Sequence, residues 1–393
     1  MMKHTELKLR LVSSTEQFEA LEESWNELSV AAIDKSIFAS WDWLFTWWEV
    51  FSECDSRDLF ILCFYDQDLL VGIAPFQIAR KYPHSYIQGR TLRFLASGEQ
   101  LQDSIATPFL DLLARDGYQH SVVLAVEKAV IEYQHRWDFA DFEFLLETSL
   151  ITQCFQQNSG GINRRLDAYG YRCVVPQVDT QEEYLETLPK RWQKDYRKSD
   201  RLFHKNGELE IKTAEFERID ESLALLKDMH CERWAGRADF LVFESEKFNQ
   251  FHRKILRRLL PKGKAYIRTL CFDGHPMSTY YAFEGENWVH YYQSAFYQKN
   301  ANRYMPLLYM LCNEIGSAME RGKHFDFMFT DSENSYKKYQ YSAEATPMFR
   351  LLWTPSRFRL LLLDSYRMYK RVWLRLKDYV VALRKKLARE QGK

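Results

Sequence analysis

The order of the predicted secondary-structure elements is nearly the same in the two halves of the chain, and no other feature restricts the fold as strongly. In each half, hydrophobic periodicity predicts a strand, two helices, three strands, a helix and a strand, with one further helix and strand in the first half. The predictions for the first half include a helix over Trp41–Phe51, strands over 59–65, 69–78 and 107–113, a helix over 149–169 and a strand over 171–178. The repeat is one of element order, since no residue-level repeat is evident.

The second half contains the clearest local signals. Asp273-Gly274 separates β-rich runs at 265–272 and 277–284, and this dipeptide favours a two-residue hairpin turn. The next run, Trp288–Phe296, predicts a strand that places His290, Tyr292 and Ser294 on one face. A helix over 304–321 and a short strand over 324–329 follow.

These patterns predict an α/β (α+β) fold with two tandem domains, each a mixed central sheet flanked by helices. An antiparallel series of strands that leads into a helix and a parallel strand produces such a sheet. The expected domains are residues 1–178 and 179–356, followed by a basic amphipathic helical tail over 357–393. A length of 393 residues suits two domains.

Composition and motifs exclude several classes of protein. The 54 Lys+Arg balance 54 Asp+Glu, so general binding to DNA is not expected. The seven cysteines are scattered, which argues against a zinc site or a disulfide framework, and no metal is expected. The sequence contains no H-E-x-x-H, G-x-S-x-G, nucleotide phosphate loop or G-x-G-x-x-G. No apolar signal core opens the chain, so we expect a cytoplasmic protein.

Several short stretches carry a resemblance to a known family: 38–48, 92–98, 191–197, 230–234, 251–252, 291–294 and 325–331 with Tyr336-Lys337. In their order and spacing the chain resembles the GNAT superfamily of N-acetyltransferases, and in detail its tandem, Fem-like branch. That branch includes proteins described as cellulose-biosynthesis or exopolysaccharide-associated acetyltransferases. The resemblance extends to about residue 353 and implies two GNAT-like domains.

The resemblance implies acetyl-CoA as acyl donor and a place for it. In this fold a strand parts from its parallel neighbour, and the freed backbone groups pair with the pantetheine arm, while a helix N-terminus holds the pyrophosphate. These parts correspond here to Trp288–Phe296, the turn over 297–303 and a helix that begins near 304–306. The implied donor-binding residues are Gln293, Ser294, Lys299, Asn302, Arg303 and Tyr304.

The turn departs from the family pattern, because residues 298–304 contain no glycine, and larger residues impede a close backbone approach to phosphate. Fem-like relatives that use aminoacyl-tRNA have a similarly altered loop. Transfer from aminoacyl-tRNA is therefore one alternative, and a binding protein without catalysis is another.

Acyl transfer needs a base for the nucleophile, donors for the oxyanion and an acid for the leaving group. His290 is the candidate base, although a hydrogen-bonded core histidine is the alternative. Tyr292 or Tyr304 is the candidate acid. Asp331 follows a short apolar strand, where a cap or loop role is the alternative. The resemblance favours Asp331, Tyr336 and Lys337 as a site group, with Lys338 as a competing choice.

Two basic segments suggest partners. The predicted helix over 189–205 carries Trp192 and Arg197 among many cations and could receive an anionic acceptor, although a solvated helix face that crosses between the domains is the plainer explanation. The tail over 357–393 interleaves apolar residues with lysines and arginines, which is typical of peripheral contact with an anionic inner membrane. Packing against the body or a second subunit is the alternative. With the resemblance, these features predict a saccharide or lipid-linked envelope precursor as acceptor.

Overall fold

The computed structural model of the 393-residue chain describes residues 6–32, 35–53, 56–80, 89–156, 161–234, 241–299 and 301–356, with positions 358, 359, 361 and 365. The predicted tail over 357–393 therefore lies almost entirely outside the described residues. None of the helices within these ranges is both long and apolar enough to cross a bilayer.

The first half begins with a strand, three helices and a hairpin and ends with a long strand. Its elements are β1 (Lys8–Val12), α1 (Thr15–Glu19), α2 (Glu22–Ala31), α3 (Trp41–Phe51), β2 (Arg57–Asp66), β3 (Leu69–Ala79), β4 (Thr91–Phe94), β5 (Leu113–Ala114), α4 (Gln119–Glu132), β6 (Phe139–Leu145) and β7 (Asn163–Val175).

The second half opens on two helices and again contains three consecutive antiparallel strands. Its elements are α5 (Gln181–Thr187), α6 (Lys190–Asn206), β8 (Leu209–Thr213), α7 (Ile219–Trp234), α8 (Glu246–Leu259), β9 (Ala265–Phe272), β10 (His275–Glu284), β11 (Trp288–Phe296), α9 (Ala301–Tyr304), α10 (Pro306–Glu320), β12 (His324–Thr330), α11 (Tyr336–Tyr341) and β13 (Glu344–Thr354).

All these strands belong to one mixed sheet with helices packed on it, which confirms the predicted fold class. The strand order is β1-β2-β3-β4-β6-β13-β7-β12-β11-β10-β9-β8, with β5 paired to β3. Two strands cross between the halves: β7 pairs with β12 of the second half, and β13 pairs with β6 of the first. The boundary at 178 remains a prediction, but the halves are joined by this exchange.

Local sequence explains the elements that were predicted correctly. In α3, the Ser40 hydroxyl accepts from the N–H of Trp43 and caps the helix, and nearly every residue of the helix is buried. The β9–β10 turn has φ of 50° at Asp273 and 76° at Gly274, the left-handed pair that a two-residue hairpin requires.

Two predictions over the first half are wrong. Residues 149–169 do not form a helix, because 150–153 form a single 3₁₀ turn and β7 already begins at Asn163. β7 pairs along its length with β13, nearly two hundred residues away, and this long-range pairing overrides local propensity. Of the strand predicted over 107–113, only Leu113 is in a strand. β13 itself was not predicted.

Candidate active site

β11 and β12 part partway along their length, as the resemblance implied. Their parallel register covers only three pairs, Trp288↔His324, Val289↔Phe325 and His290↔Asp326. β11 then continues to Phe296 and β12 to Thr330 without further pairing to each other. Beyond His290, the β12-facing edge of β11 therefore has no strand partner among the described residues.

Irregular backbone on both sides produces this opening. The β10–β11 register shifts so that Tyr292 has no partner on β10, which is a β-bulge. On β12, Met328 has a φ of 61°, and its N–H donates to the Asp326 carboxylate at 2.6 Å. Both features turn the strands just after the last paired residues, so the opening is built into the strands.

The bulge also corrects the predicted alternation of β11. His290 and Tyr292 do share a face, with their rings 4.9 Å from Phe38 and 4.7 Å from His252 respectively. Ser294 lies on the opposite face, where its Oγ is 2.6 Å from the hydroxyl of Tyr291. The prediction that all three share one face is wrong, because one extra residue in a strand reverses every side chain after it.

Lys337 extends from α11 into the opening. Its ammonium donates to the carbonyl of Phe327 at 2.8 Å and lies 3.4 Å from that of Phe329, both on β12. It lies 5.7 Å from the centroid of the Tyr291 ring. Burial lowers the pKa of Lys337. The side chain thus replaces the missing strand partner along β12 and leaves the edge of β11 open.

A cleft of about 530 Å³ lies next to the end of β11. Its lining includes Arg191 of α6, Arg233 of α7, Phe296, Asn302 and Tyr336 together with the start of α10. Helices α6, α7 and α10 therefore meet at the end of β11, and two guanidinium groups line the cleft between them.

The N-terminus of α10 supplies further anion-binding groups to this cleft. Met305, with φ of 44°, precedes Pro306 at the first helical position. The first bond into the helix runs from Tyr309 N to Met305 O at 3.1 Å. The N–H groups of Leu307 and Leu308 precede that bond, and both residues line the cleft. These two N–H groups, together with the guanidinium groups of Arg191 and Arg233, form a set of donors that suits a phosphate.

The predicted donor residues divide between the cleft and its surroundings. Asn302 lines the cleft, and Lys299 and Arg303 are exposed nearby in the same turn. Tyr304 is 6% exposed and packs against Phe203 and Phe272, so its ring belongs to the core.

Other predicted residues lie beside the cleft. The Oε1 atom of Gln293 accepts from the backbone N–H of Ser294 at 3.1 Å, so both have partners within β11. Trp192 is half-buried under the guanidinium of Arg191. Arg197 is exposed on α6 and does not line the cleft.

Arg191 and Arg233 were not among the predicted site residues. Each stood inside a stretch that carried the resemblance, 191–197 and 230–234. Nothing in the sequence indicated that α6 and α7 meet at the end of β11, so the pair could not be selected from neighbouring cations.

His290 belongs to a second cluster, on the other face of the sheet. Its Nδ1 lies 3.3 Å from the carboxylate of Asp326, and that carboxylate accepts a hydrogen bond from Arg172 Nε at 2.8 Å. Asp326 is fully buried. Burial tends to raise the pKa of Asp326, but Arg172 and then His290 hold it below its ordinary value.

A cavity of about 240 Å³ adjoins this cluster at the junction of the halves. Its walls include Lys35, Phe109 and Arg172 from the first half and Trp288 and His290 from the second. Because Nδ1 faces Asp326, Nε2 is the nitrogen of His290 available to a ligand in the cavity. Asp326 was missed in the sequence, where Asp331 at the end of the same strand was chosen instead.

The first half contains the same arrangement with different chemistry. β4 and β6 are parallel at Thr91↔Phe139 and Leu92↔Ala140. Arg93 and Asp141 follow these pairs on the two strands, in the positions that correspond to His290 and Asp326 in the second half. Arg350 of β13 donates to Asp141 at 2.6 Å, as Arg172 of β7 donates to Asp326. A residue-level repeat therefore exists in space, with an arginine, Arg93, where the second half has His290.

The remaining predicted catalytic residues do not meet in one place. The Tyr292 hydroxyl donates to Ile105 O at 2.8 Å and is 2.9 Å from His252 Nε2, and burial raises its pKa well above the ordinary value. Asp331 is exposed beyond β12. Tyr336 is 56% exposed at the cleft wall. The side chain of Lys338 lies outside the described residues.

Comparisons with known proteins agree with this geometry. Residues 190–338 match the family model described as an acetyltransferase (GNAT) domain. Among solved structures, the chain is similar to FemX, with a TM-score of 0.58 at 11% identity, over 88% of this chain and 96% of that one. It is also similar to the C-terminal domain of a putative lysylphosphatidylglycerol synthetase from Agrobacterium fabrum, with a TM-score of 0.52 at 12% identity, over 90% and 96% of the two chains.

At these identities the structural similarity shows the fold alone, over nearly the whole chain, and the GNAT match covers residues 190–338. No curated protein sequence gives a significant match. The matched residues include the parted strands, most of the cleft lining, Lys337, His290 and Asp326, whereas Arg172 lies outside them.

Proposed function

We propose that the chain is an acyltransferase that moves an acetyl group from acetyl-CoA to an amine or hydroxyl of a cell-envelope or exopolysaccharide precursor. The observation that carries this proposal is the parting of β11 from β12 after His290↔Asp326, beside a cleft with two arginines. The GNAT-type acyltransferase domain over residues 190–338 supports the reaction class. The acceptor class rests on the resemblance of the sequence.

The residues around the cleft fit the donor in part. The open edge of β11 suits an extended pantetheine, and the start of α10 with Arg191 and Arg233 suits the pyrophosphate. The donor supplies a thioester, whose carbonyl carbon accepts the nucleophile. The short helical turn α9, where the family has a glycine-rich loop, is the one poor fit, and the two arginines offset it.

Two groups of this chain assist the transfer in the proposal. His290, oriented by Asp326, takes the proton from the acceptor amine or hydroxyl at Nε2. Lys337 provides a buried positive charge at the parted strands, which stabilises the negative oxygen that forms when the nucleophile adds to the thioester. The cavity of about 240 Å³ beside His290 receives the acceptor group.

Calorimetric titration with acetyl-CoA tests the donor site. Arg233→Ala should weaken binding about tenfold or more, because a charge-assisted hydrogen bond contributes roughly 1.5–3 kcal/mol. Arg201→Ala is the matched control, since Arg201 is exposed on α6 and its Nε donates to Arg197 O. No binding to the unaltered protein, or equal affinity in both variants, would contradict the proposed donor site.

Aminoacyl-tRNA is a second candidate donor, and the glycine-free turn over 298–304 is the observation that favours it. The same titration with aminoacyl-tRNA distinguishes the two donors. Binding of the aminoacyl-tRNA without binding of acetyl-CoA would retain the acyl-transfer class and replace the donor.

A further inference from the structure

β8 forms one end of the sheet and has an open edge. It pairs with β9 from Leu209↔Phe272 to Thr213↔Arg268. No other strand within the described residues pairs with β8. Four of its five residues are exposed. Such an edge presents unpaired backbone groups to another strand.

The hydrogen bonds that flank β8 show which of its backbone groups face outward. Asp273 N donates to Glu208 O, and Ala214 N donates to Ile267 O, each at 2.8 Å. In an antiparallel pair, alternate residues bond to the partner strand. The even-numbered residues of this stretch therefore face β9.

The N–H and C=O groups of Leu209, Ile211 and Thr213 consequently point away from the sheet. If a second strand docks antiparallel with Ile211 opposite its own copy, Ile211 exchanges two hydrogen bonds with that copy. On each side of the axis, Leu209 of one copy lies opposite Thr213 of the other, and this pair exchanges two further hydrogen bonds. The edge can thus form a regular two-fold ladder with itself.

We propose that β8 pairs with β8 of a second copy of this chain across a two-fold axis at Ile211. In that register Glu210 of each copy lies directly opposite Lys212 of the other. Opposite charges at directly opposed positions stabilise a strand pair, whereas like charges destabilise it. Ile211, 40% exposed in the single chain, is covered by its own counterpart.

Neighbouring registers are disfavoured by charge. An axis at Glu210 places two glutamates opposite each other, and an axis at Lys212 places two lysines opposite each other. An axis at Leu209 puts Glu208 opposite Glu210. Among the axes at Leu209, Glu210, Ile211 and Lys212, only the axis at Ile211 places unlike charges opposite each other without also opposing like charges, so charge favours this register.

The strand is accessible to such a partner. A groove of about 530 Å³ runs beside it, lined by Glu210, Lys212, Arg218 and Thr269 among others. The Lys212 ammonium is 3.2 Å from the Glu210 carboxylate, with both side chains more than half exposed. In the dimer these two residues and their copies form a cluster of four alternating charges.

One short strand pair buries less than the roughly 800 Å² per partner of a standard stable interface, so the dimer should dissociate in the micromolar range. Sedimentation velocity of the full chain from about 1 to about 100 µM should show a reversible monomer–dimer equilibrium. A single monomeric species over that range would overturn the proposal.

Charge exchange tests the register. Glu210→Lys and Lys212→Glu should each raise the dissociation constant about tenfold or more, because each places like charges opposite each other. The doubly exchanged chain should recover the dimer, and the two single variants should pair with each other. Glu246→Lys, whose side chain is 81% exposed in α8, is the control and should dimerise normally. A dimer that is indifferent to these exchanges would reject the β8 interface.

Discussion

His290 and Arg93 occupy corresponding positions in the two halves, and their chemistry explains why only one half suits acid–base work. His290 presents Nε2 to the neighbouring cavity, where it can accept a proton, and its Nδ1 faces Asp326. Arg93 stays charged, and its side chain is 4% exposed with its Nη2 2.9 Å from Asp141. The first-half cluster therefore stabilises the sheet, whereas the proposed mechanism uses His290 of the second-half cluster.

This difference predicts opposite outcomes for matched substitutions. His290→Gln should lower kcat about a hundredfold or more, the usual contribution of a general base, with little change in the free energy of unfolding. Arg93→Met should keep kcat near its original value but cost about 3 kcal/mol of stability, because it leaves a buried Asp141 with one fewer partner.

The measurements are acetyl-CoA-dependent release of thiol with an amino sugar as acceptor, and urea denaturation of both variants. Full activity in His290→Gln would remove His290 from the mechanism. Loss of activity in Arg93→Met without loss of stability would place chemistry in the first half.

At the scale of elements, β7 depends on one glycine close to the site. Gly170 has φ of 81°, and an added Cβ would collide with the ring of Phe329 on β12. Gly274 in the β9–β10 turn has φ of 76°, but an added Cβ would meet nothing within 4 Å. A substitution at Gly274 therefore measures the cost of backbone strain alone, whereas the same substitution at Gly170 adds the cost of a steric collision.

Gly274→Ala should therefore cost only the strain of a left-handed residue, about 1 kcal/mol. Gly170→Ala should cost clearly more, about 2 kcal/mol or above, because Phe329 must also move. Urea denaturation gives both values. Equal losses would mean that β7 and β12 are not packed closely at Gly170.

Elements fixed by neighbouring residues could be predicted from the sequence, and elements fixed by distant partners could not. The capped α3 and the Asp273-Gly274 turn carry their own signals. β7 forms because β13 pairs with it, and residues 163–169 have no local pattern that reveals a partner so far along the chain. The parted strands were implied by the family resemblance.

The site shows the same division. His290 and Lys337 were identified, since each stands in or beside a strand of the resemblance. The sequence points to Asp331 and does not single out Asp326, because Asp326 reads as one more residue of a buried strand. Its role depends on Arg172, which β7 brings beside it.

For the whole molecule, the exchange of β7 and β13 couples the two halves. β7 supplies Arg172 to the second-half cluster, and β13 supplies Arg350 to the first. The helices add to this coupling, since Arg258 of α8 donates to Glu49 of α3 at 2.8 Å and the rings of Phe251 and Trp43 lie 5.0 Å apart. Neither half has a complete set of central strands by itself.

A chain divided after residue 178 should therefore give two fragments that fail to fold separately. Fragment 1–178 lacks β13, which leaves Asp141 without Arg350, and fragment 179–356 lacks β7, which leaves Asp326 without Arg172. Each buried carboxylate loses one of its two charged partners, and breaking a buried ion pair costs up to about 3–5 kcal/mol, a large share of the stability of a domain. Expressed together, the fragments should assemble, because the strand pairs are restored.

Circular dichroism of each fragment and of the mixture tests this expectation, and calorimetry of the intact chain should show one transition. A fragment 179–356 that folds and melts cooperatively by itself would show that the exchange of strands is dispensable.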